Sequence, residues 1–419
     1  MPDRESWVSR VVHSTKHPGE TPPMIGHHSD VGSVKASAHE TAEQKTFLVF
    51  GHVDAAPVIT AREHLEAVAG LELGGLEVAA GDEPGGSGTH GYAVTSSSEW
   101  SSPQLIDFDP VPFGSHDIDV KIDYCGVCAS DLLTARAGAG NDGWPETMYP
   151  VITGHEIVGK IVRMGELVDP SKFHIGQVVG ADLVETYNSK YPDGSISFGG
   201  YANYKRCHQD LVFPIPSTLP PEHAAPMLCA GLTVFSPLKA AGVGPGKRVG
   251  VVGIGGLGHF AVLFASAMGA EVTAISHSPR KQADAAKMGA TGFIVTTNDV
   301  DWAEQNKSSL DLIISTTFAN DMPLEKYLQL LDVGGQFALV GLGEQNLPEI
   351  PPGILVGANK AIVGSMIGSS RQMREMLEFA ADKNIRAWIE VLPMKDAGMA
   401  LRRLHQGDCS YRFVLKADI

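Results

Sequence analysis

The sequence predicts an α/β protein with two domains, an irregular β-barrel-like domain followed by a doubly wound parallel sheet. Three observations support this fold: a glycine-rich loop that follows an apolar run, a change of pattern after Pro220, and the length of the chain. The 419 residues exceed what one hydrophobic core normally serves, and a hydrophobic content of 43% is sufficient for two cores.

Composition excludes several classes of function. The formal net charge of −16 argues against a nucleic-acid partner, which would require a basic face. No apolar run approaches the length of a membrane span, and the N-terminus lacks a secretory pattern, so we expect a soluble, cytoplasmic protein without a membrane partner. Five cysteines, an odd number, indicate reduced thiols or metal ligands rather than a disulfide framework.

The N-terminal region is predicted to be a largely disordered extension over 1–89. It is polar near its start and rich in Gly, Glu and Ala near its end, so it cannot build a core. Residues 46–59 could form a strand and 61–69 a helix, but neither leads into a recognisable domain.

The first folded domain is predicted over 90–230 and is completed by 364–419. Short β-type runs alternate there with Gly and Pro turns, which is typical of an irregular β-barrel-like domain. The predicted strands are 118–124, 157–164, 177–184, 201–205 and 211–215. A helix over 371–383 and a strand over 411–415 are expected to return to this domain.

The second domain is predicted over 231–363, where strand and helix patterns alternate. This alternation is typical of a doubly wound parallel sheet. The predicted strands are 248–252, 272–275, 293–295, 312–315, 337–340 and 361–363, with helices between them.

The glycine loop between the first of these strands and a predicted helix over 257–268 indicates a dinucleotide site. Gly253 permits a tight turn, Gly255 lets the backbone approach a pyrophosphate, and Gly258 lets the helix pack on the strand. Gly256 and Leu257 complete the start of the helix, whose free N–H groups would face the phosphates. The alternative is a glycine-rich turn without a ligand.

The end of the second strand favours NADP over NAD. NAD-binding proteins place a carboxylate about 20 residues beyond the glycines, and none is present here. Cations and hydroxyls that can bind a phosphate stand there instead: Ser276, His277, Ser278, Arg280 and Lys281. The alternative is a solvated helix start.

Three distant segments upstream carry residues that zinc prefers. Cys128, His155 and Cys229 would give a catalytic zinc three protein ligands and leave a fourth position for water or substrate. Their spacing leaves a second interpretation open, because a lone buried cysteine such as Cys229 is usually a small core residue.

Six ordered motifs resemble the zinc-dependent medium-chain alcohol dehydrogenases, in particular their NADP-dependent cinnamyl-alcohol dehydrogenase-like branch. The resemblance implies a GroES-like catalytic domain, a Rossmann domain, zinc, NADP(H) and a homodimer. The motifs span residues 125–131, 150–156, 199–204, 225–233, 253–258 and 364–369.

The resemblance also implies the metal site. Cys128, His155 and Cys229 would bind one catalytic zinc, and Glu156 would stand beside the metal and be able to enter its coordination shell. Asp131 matches the carboxylate that orients the ligand imidazole.

Further roles follow from the same resemblance. Ser130 matches the hydroxyl that exchanges a proton with the substrate oxygen. Thr233 falls where the family packs a residue on the nicotinamide, and Ser365 and Ile367 are cofactor-binding candidates in the last motif. The residues matching the 2′-phosphate pocket are Ser276, Ser278 and Lys281.

The chain departs from the family pattern at three places. Leu133 replaces a histidine that extends the proton relay, and leucine cannot carry a proton. The lobe with four closely spaced cysteines is missing before Thr186, so we expect no structural zinc. The segment 135–146 is a few residues longer than usual.

The leading hypothesis is a zinc-dependent NADP(H) oxidoreductase that interconverts primary alcohols and aldehydes, aromatic or medium-chain aliphatic, with aldehyde reduction as the expected direction. One alternative is an NADPH-dependent reductase of an activated C=C or iminium bond on the same fold, for which Leu133 would be harmless. Another is an NADP-binding protein without turnover.

Overall fold

The structure is a computed structural model that describes residues 88–137, 144–181, 186–191, 194–297, 299–317, 319, 321–341 and 346–419. These residues belong to one compact unit, Ala80–Ile419. The predicted disordered extension, with its candidate strand and helix, lies outside the described residues except for its last two positions. Within the described part of the chain, no helix is both long and apolar enough to cross a membrane.

The first domain is built on a mixed seven-stranded sheet and a small hairpin. In the hairpin, β1 (Thr89–Ala93) pairs antiparallel with β2 (Gln104–Phe108). The strands of the larger sheet are β3 (Asp117–Gly126), β4 (Glu156–Met164), β5 (Val178–Ala181), β6 (Tyr204–His208), β7 (Val212–Pro214), β14 (Ile389–Pro393) and β15 (Arg412–Lys416). Their order is β14-β15-β3-β4-β5-β7, with β6 paired to β3. The C-terminal strand β15 thus joins this sheet directly.

The second domain contains a parallel six-stranded sheet. Its strands are β8 (Arg248–Val252), β9 (Glu271–Ser276), β10 (Gly292–Val295), β11 (Leu310–Ser315), β12 (Leu331–Leu339) and β13 (Ala361–Gly364). The order β10-β9-β8-β11-β12-β13 is that of a Rossmann sheet. Because the order reverses between β8 and β11, a crevice opens at their carboxyl ends, where such sheets bind ligands.

Ten α-helices are assigned in the described residues. They are α1 (Ala129–Ala135), α2 (Pro221–Ala224), α3 (Ala230–Ala240), α4 (Gly258–Ala267), α5 (Gln282–Lys287), α6 (Trp302–Gln305), α7 (Leu324–Leu330), α8 (Gly353–Val356), α9 (Ser370–Asp382) and α10 (Ala397–His405). Short 3-10 turns cover Ser97–Glu99, Gln209–Leu211, Ala225–Met227, Pro279–Lys281 and Met394–Asp396.

Side chains alternate across the Rossmann sheet and bury both of its faces. On β11, Leu312 and Ile314 belong to one core cluster, whereas Ile313 belongs to a second cluster on the opposite face. This two-sided burial explains the nearly continuous apolar runs of the parallel strands. Helix α9 is amphipathic instead, and its buried residues Met373, Met376, Leu377 and Ala380 follow the helical repeat.

The predicted strands are mostly confirmed, and β8 has the predicted limits. The strand expected over 201–205 was placed too early, since β6 begins only at Tyr204. The backbone before Tyr204 forms hydrogen bonds with other segments of the chain. The Tyr201 N–H donates to the Thr153 carbonyl, and the Asn203 N–H donates to the His90 carbonyl. The sequence prediction omitted β1, β2, β14 and α10 altogether.

The three glycines that end β8 and begin α4 have different steric surroundings. Gly253 has a left-handed φ of 84°, and a Cβ on it would collide with Thr317. A Cβ on Gly258 would overlap the Gly253 carbonyl oxygen, so this glycine allows the helix to pack on the turn. A Cβ on Gly255 would meet no described atom within 4 Å, which leaves the backbone there open to a ligand.

These surroundings predict that two alanine substitutions differ in their effect on stability. Gly258→Ala should lower the free energy of unfolding by about 1–3 kcal/mol, because its methyl group overpacks the turn. Gly255→Ala is the matched control and should change this free energy by less than about 1 kcal/mol. Chemical denaturation of both variants measures the difference. Equal stability of the two variants would contradict this description of the turn.

Candidate active site

Four buried side chains converge between the barrel and the Rossmann sheet. One potential ligand atom from each of Cys128, His155, Glu156 and Cys229 lies within 4.8 Å of the others. The Sγ atoms of Cys128 and Cys229 are 3.9 Å apart although 101 residues separate them in sequence. The structure therefore brings together the residues that were expected to bind the metal.

Secondary structure positions the two thiols. Cys128 lies at the N-terminus of α1, and Cys229 lies at the N-terminus of α3. The positive end of a helix dipole favours a thiolate. The pKa of Cys128 is lowered well below its usual value, mainly by the hydrogen bond with Cys229 and, against the effect of burial, also by His155. The pair thus favours the anionic sulfur that a soft metal ion requires.

The Asp131 carboxylate orders the protein around these ligands and is fully buried. One oxygen accepts hydrogen bonds from the Cys128 N–H (2.9 Å) and the Tyr201 hydroxyl (3.1 Å). The other lies 3.0 Å from both the Gly154 N–H nitrogen and His155 Nδ1. A hydrogen bond from Nδ1 to Asp131 leaves Nε2 of the imidazole available to a metal ion. Burial lowers the pKa of His155, but Asp131 and Cys128 together outweigh burial, so the pKa is raised well above its usual value.

Glu156 is held by a buried arginine that the sequence prediction omitted. The guanidinium of Arg412, on β15, donates to Glu156 Oε1. Burial raises the pKa of Glu156 to about 8, although the arginine counteracts it. The second oxygen, Oε2, has no hydrogen-bond partner among the described residues, which fits a carboxylate able to enter the coordination shell of a metal ion. Gly126 is required beside it, because a Cβ there would collide with this oxygen.

Ser130 and Leu133 lie on α1 next to the metal ligands. The Oγ atom of Ser130 is 3.7 Å from Cys128 Sγ, so its hydroxyl borders the site. Leu133 is half-buried and offers no group that can transfer a proton. The structure thus places the candidate proton donor beside the expected ligands, and the interruption of the relay at position 133 stays a prediction from the sequence.

The glycine loop lies close to the segment that carries Arg412. A Cβ on Gly256 would be 3.0 Å from the arginine Cδ and 3.1 Å from its Nη1. Leu257 forms the N-terminal boundary of α4. Arg412 therefore contacts Glu156 with one part of its side chain and borders the loop with another.

The residues expected to bind the 2′-phosphate cluster at the carboxyl end of β9. The Ser278 N–H is 3.5 Å from Ser276 Oγ, and Arg280 Nε donates to Ser278 Oγ at 3.4 Å. The carbonyl of His277 accepts a hydrogen bond from Thr297. Lys281 contacts the glycine loop instead, since its Nζ donates to the Ile254 carbonyl at 2.6 Å.

The remaining cofactor candidates lie on three different elements. Thr233 is buried on α3, one helical turn after Cys229, whose carbonyl accepts its N–H. Ser365 follows β13 and donates its N–H to the Leu339 carbonyl at 3.0 Å. Ile367 has a left-handed φ of 49°. Their roles toward a cofactor stay predictions from the sequence.

Arg412 and the two tyrosines near Asp131 were missed by sequence reasoning. Tyr187 Oη is 3.2 Å from His155 Nδ1. Burial, and then the Asp131 charge, raises the pKa of Tyr187 and Tyr201, so both stay neutral hydroxyls. A signal for Arg412 was available, because a charged residue inside the apolar run of β15 requires a buried partner.

Two family models match the chain. The model described as "Alcohol dehydrogenase GroES-like domain" matches residues 114–217, and the one described as "Zinc-binding dehydrogenase" matches residues 256–382. The first match covers β3 to β7 of the first domain, and the second covers α4 and most of the Rossmann sheet.

The alignments of this chain with two relatives extend over nearly the whole length of each relative. NADP-dependent alcohol dehydrogenase 6 of Saccharomyces cerevisiae is 40% identical over 352 residues, which is 78% of this chain and 95% of the relative. Probable cinnamyl alcohol dehydrogenase 3 of Oryza sativa subsp. japonica is 38% identical over 349 residues, 78% of this chain and 92% of the relative.

A solved structure agrees with this similarity. The crystal structure of CAD from Helicobacter pylori complexed with NADP(H) aligns with a TM-score of 0.69 and 34% identity, over 78% of this chain and 97% of that one. With the two relatives, it confirms the resemblance predicted from the motifs. The chain belongs to the zinc-binding medium-chain alcohol dehydrogenase family.

Proposed function

We propose that the protein is a zinc- and NADP(H)-dependent oxidoreductase that reduces aldehydes to primary alcohols. The observation that carries the proposal is the buried group of Cys128, His155, Glu156 and Cys229. Two sulfurs and one imidazole nitrogen suit a catalytic zinc with an open position. A zinc ion in this site would stabilise the negative charge that hydride transfer places on the carbonyl oxygen.

The protein residues have separate tasks in this proposal. Asp131 fixes the orientation of the His155 ring, and the helix N-termini favour the thiolates of Cys128 and Cys229. Ser130 supplies a proton to the product oxygen from beside Cys128.

The proton on Ser130 must be replaced after each turnover. Since Leu133 cannot pass a proton onward, water or a ribose hydroxyl of the cofactor would connect the serine to solvent. Glu156 lies beside the other proposed ligands, where it could enter the coordination shell of the zinc, and Arg412 keeps it in place.

The NADP(H) preference is supported by the chain and by its relatives. Hydroxyls and two cations follow β9, where an NAD-binding protein would place a carboxylate. The name of the yeast relative gives NADP dependence, and the Helicobacter pylori structure is in complex with NADP(H). Aromatic and medium-chain aliphatic aldehydes remain the proposed substrates.

Four expectations stay predictions. They are the homodimer, the cytoplasmic location, the absence of a structural zinc, and the domain limits of 90–230 with 364–419 for the catalytic part and 231–363 for the nucleotide-binding part. The hypothesis of a binding protein without turnover is disfavoured, because a full set of buried metal ligands has been assembled.

A substrate screen tests the proposed function. The full-length chain is incubated with NADPH and aromatic, aliphatic or α,β-unsaturated aldehydes, and products are identified by mass spectrometry. We expect primary alcohols, including an allylic alcohol from the unsaturated substrate, because hydride should go to the carbonyl carbon. Saturation of the C=C bond without reduction of simple aldehydes would instead support the alternative reductase.

Ser130→Ala should lower the turnover of aldehyde about a hundredfold or more, because the alkoxide then lacks its proton donor. Ser130→Thr keeps the hydroxyl and is the matched control, with turnover near that of the wild type. Steady-state kinetics gives the turnover, and NADPH binding should be the same in all three proteins. An unchanged turnover of Ser130→Ala would remove this serine from the proton route.

A further inference from the structure

We propose that Tyr411 is a positioning residue that sets the preference for NADP(H) over NAD(H) by holding Lys281 beside the glycine loop. This inference rests on the proposed NADP(H) dependence. It concerns a residue of the C-terminal segment, far in sequence from the cofactor motifs.

Lys281 is held by two contacts. Its Nζ donates to the carbonyl of Ile254, inside the glycine loop, and lies 4.8 Å from the centroid of the Tyr411 ring. The ammonium thus lies against the loop that would hold the pyrophosphate, on a residue that follows Ser278 by three positions in the sequence. A lysine side chain is flexible, and a lysine that is not held in place loses considerable rotamer entropy when it binds an anion. A prepositioned ammonium avoids most of that loss.

Tyr411 is a rigid support for this ammonium. It is 2% exposed, and its hydroxyl donates to Asp284 on α5 at 2.7 Å. Its ring stacks on His259, with ring centroids 5.5 Å apart, and meets Trp388 edge-on at 5.8 Å. The electron-rich face of a tyrosine attracts a cation. Because the ring is fixed on several sides, the position of Lys281 is fixed with it.

Tyr411 also controls a carboxylate. Asp284 lies one helical turn after Lys281 and would repel a phosphate if its charge faced the pocket. The hydrogen bond from the Tyr411 hydroxyl directs one oxygen of this carboxylate toward the ring instead. Arg280 adds a further positive charge on the same side, next to Ser278.

These contacts favour NADP(H) selectively. The ammonium gains a charge-assisted hydrogen bond only when a 2′-phosphate is present, and it can exchange the Ile254 carbonyl for a phosphate oxygen while it stays on the ring. A cofactor without the phosphate offers no such partner. A purely structural role of Tyr411 would affect both cofactors equally.

The test measures dissociation constants of NADPH and NADH by isothermal titration calorimetry. The variants are Lys281→Ala, Tyr411→Leu, Tyr411→Phe and the double variant Lys281→Ala/Tyr411→Leu. Lys281→Ala should weaken NADPH binding about tenfold or more. Tyr411→Leu should weaken it about fivefold, and in both variants NADH binding should stay within about twofold. Tyr411→Phe keeps the ring and should show a smaller loss.

The double variant decides whether Tyr411 acts through the lysine. Its loss of NADPH affinity should fall clearly short of the product of the two single losses, because the ring has no cation left to hold and only the contact of Tyr411 with Asp284 remains to be lost. Additive losses, or equal losses for NADPH and NADH in Tyr411→Leu, would overturn the inference, as would unchanged NADPH binding in that variant. Zinc content and circular dichroism control for damage to the neighbouring Arg412. If Tyr411→Leu does not fold, Tyr411→Met takes its place in every comparison, because methionine also removes the aromatic face and its flexible side chain fills irregular gaps in a core.

The outcomes separate this inference from the proposed function. A wild-type protein that binds NADPH no better than NADH overturns both. A wild-type protein that prefers NADPH, and keeps that preference when Tyr411 is replaced, overturns only the role of Tyr411.

Discussion

The buried Asp131 carboxylate is the constraint on which the rest of the site depends. A charged group that is removed from water is costly unless hydrogen bonds replace the lost solvent. Four groups do so here, from Cys128, Gly154, His155 and Tyr201. Since these residues come from three separate segments, satisfying one carboxylate also fixes the start of α1, the turn before β4 and one metal ligand.

A second buried charge connects the site to the cofactor side of the molecule. Arg412 reaches Glu156, which stands among the metal ligands, while its own side chain borders Gly256 of the glycine loop. The residue before it, Tyr411, contacts Lys281 and Asp284 in the nucleotide-binding part. Tyr411 and Arg412, the first residue of β15, therefore lie next to each other and contact the cofactor side and the metal side, respectively.

Much of the fold was predictable from the sequence, because apolar runs and glycine turns are local signals. The limits of β8 and the glycine loop are examples. The strand β6 was misplaced because the residues before it bond to neighbours outside any regular ladder. The convergence of Cys128 and Cys229 could not follow from spacing, since only the folded chain brings them together. There the resemblance to a family supplied what local patterns could not. Neither local patterns nor the family resemblance could predict that Lys281 lies over the Tyr411 ring, because this contact depends on side-chain packing between distant segments.

The central claim is that two thiolates and one imidazole form a single catalytic zinc site in this chain. The most direct test is metal analysis of the purified protein, combined with X-ray absorption at the zinc edge. The account predicts about one zinc per chain, with two sulfur ligands and at least one imidazole nitrogen. A protein that reduces aldehydes fully without zinc would contradict it. A zinc bound by four sulfurs would contradict it as well.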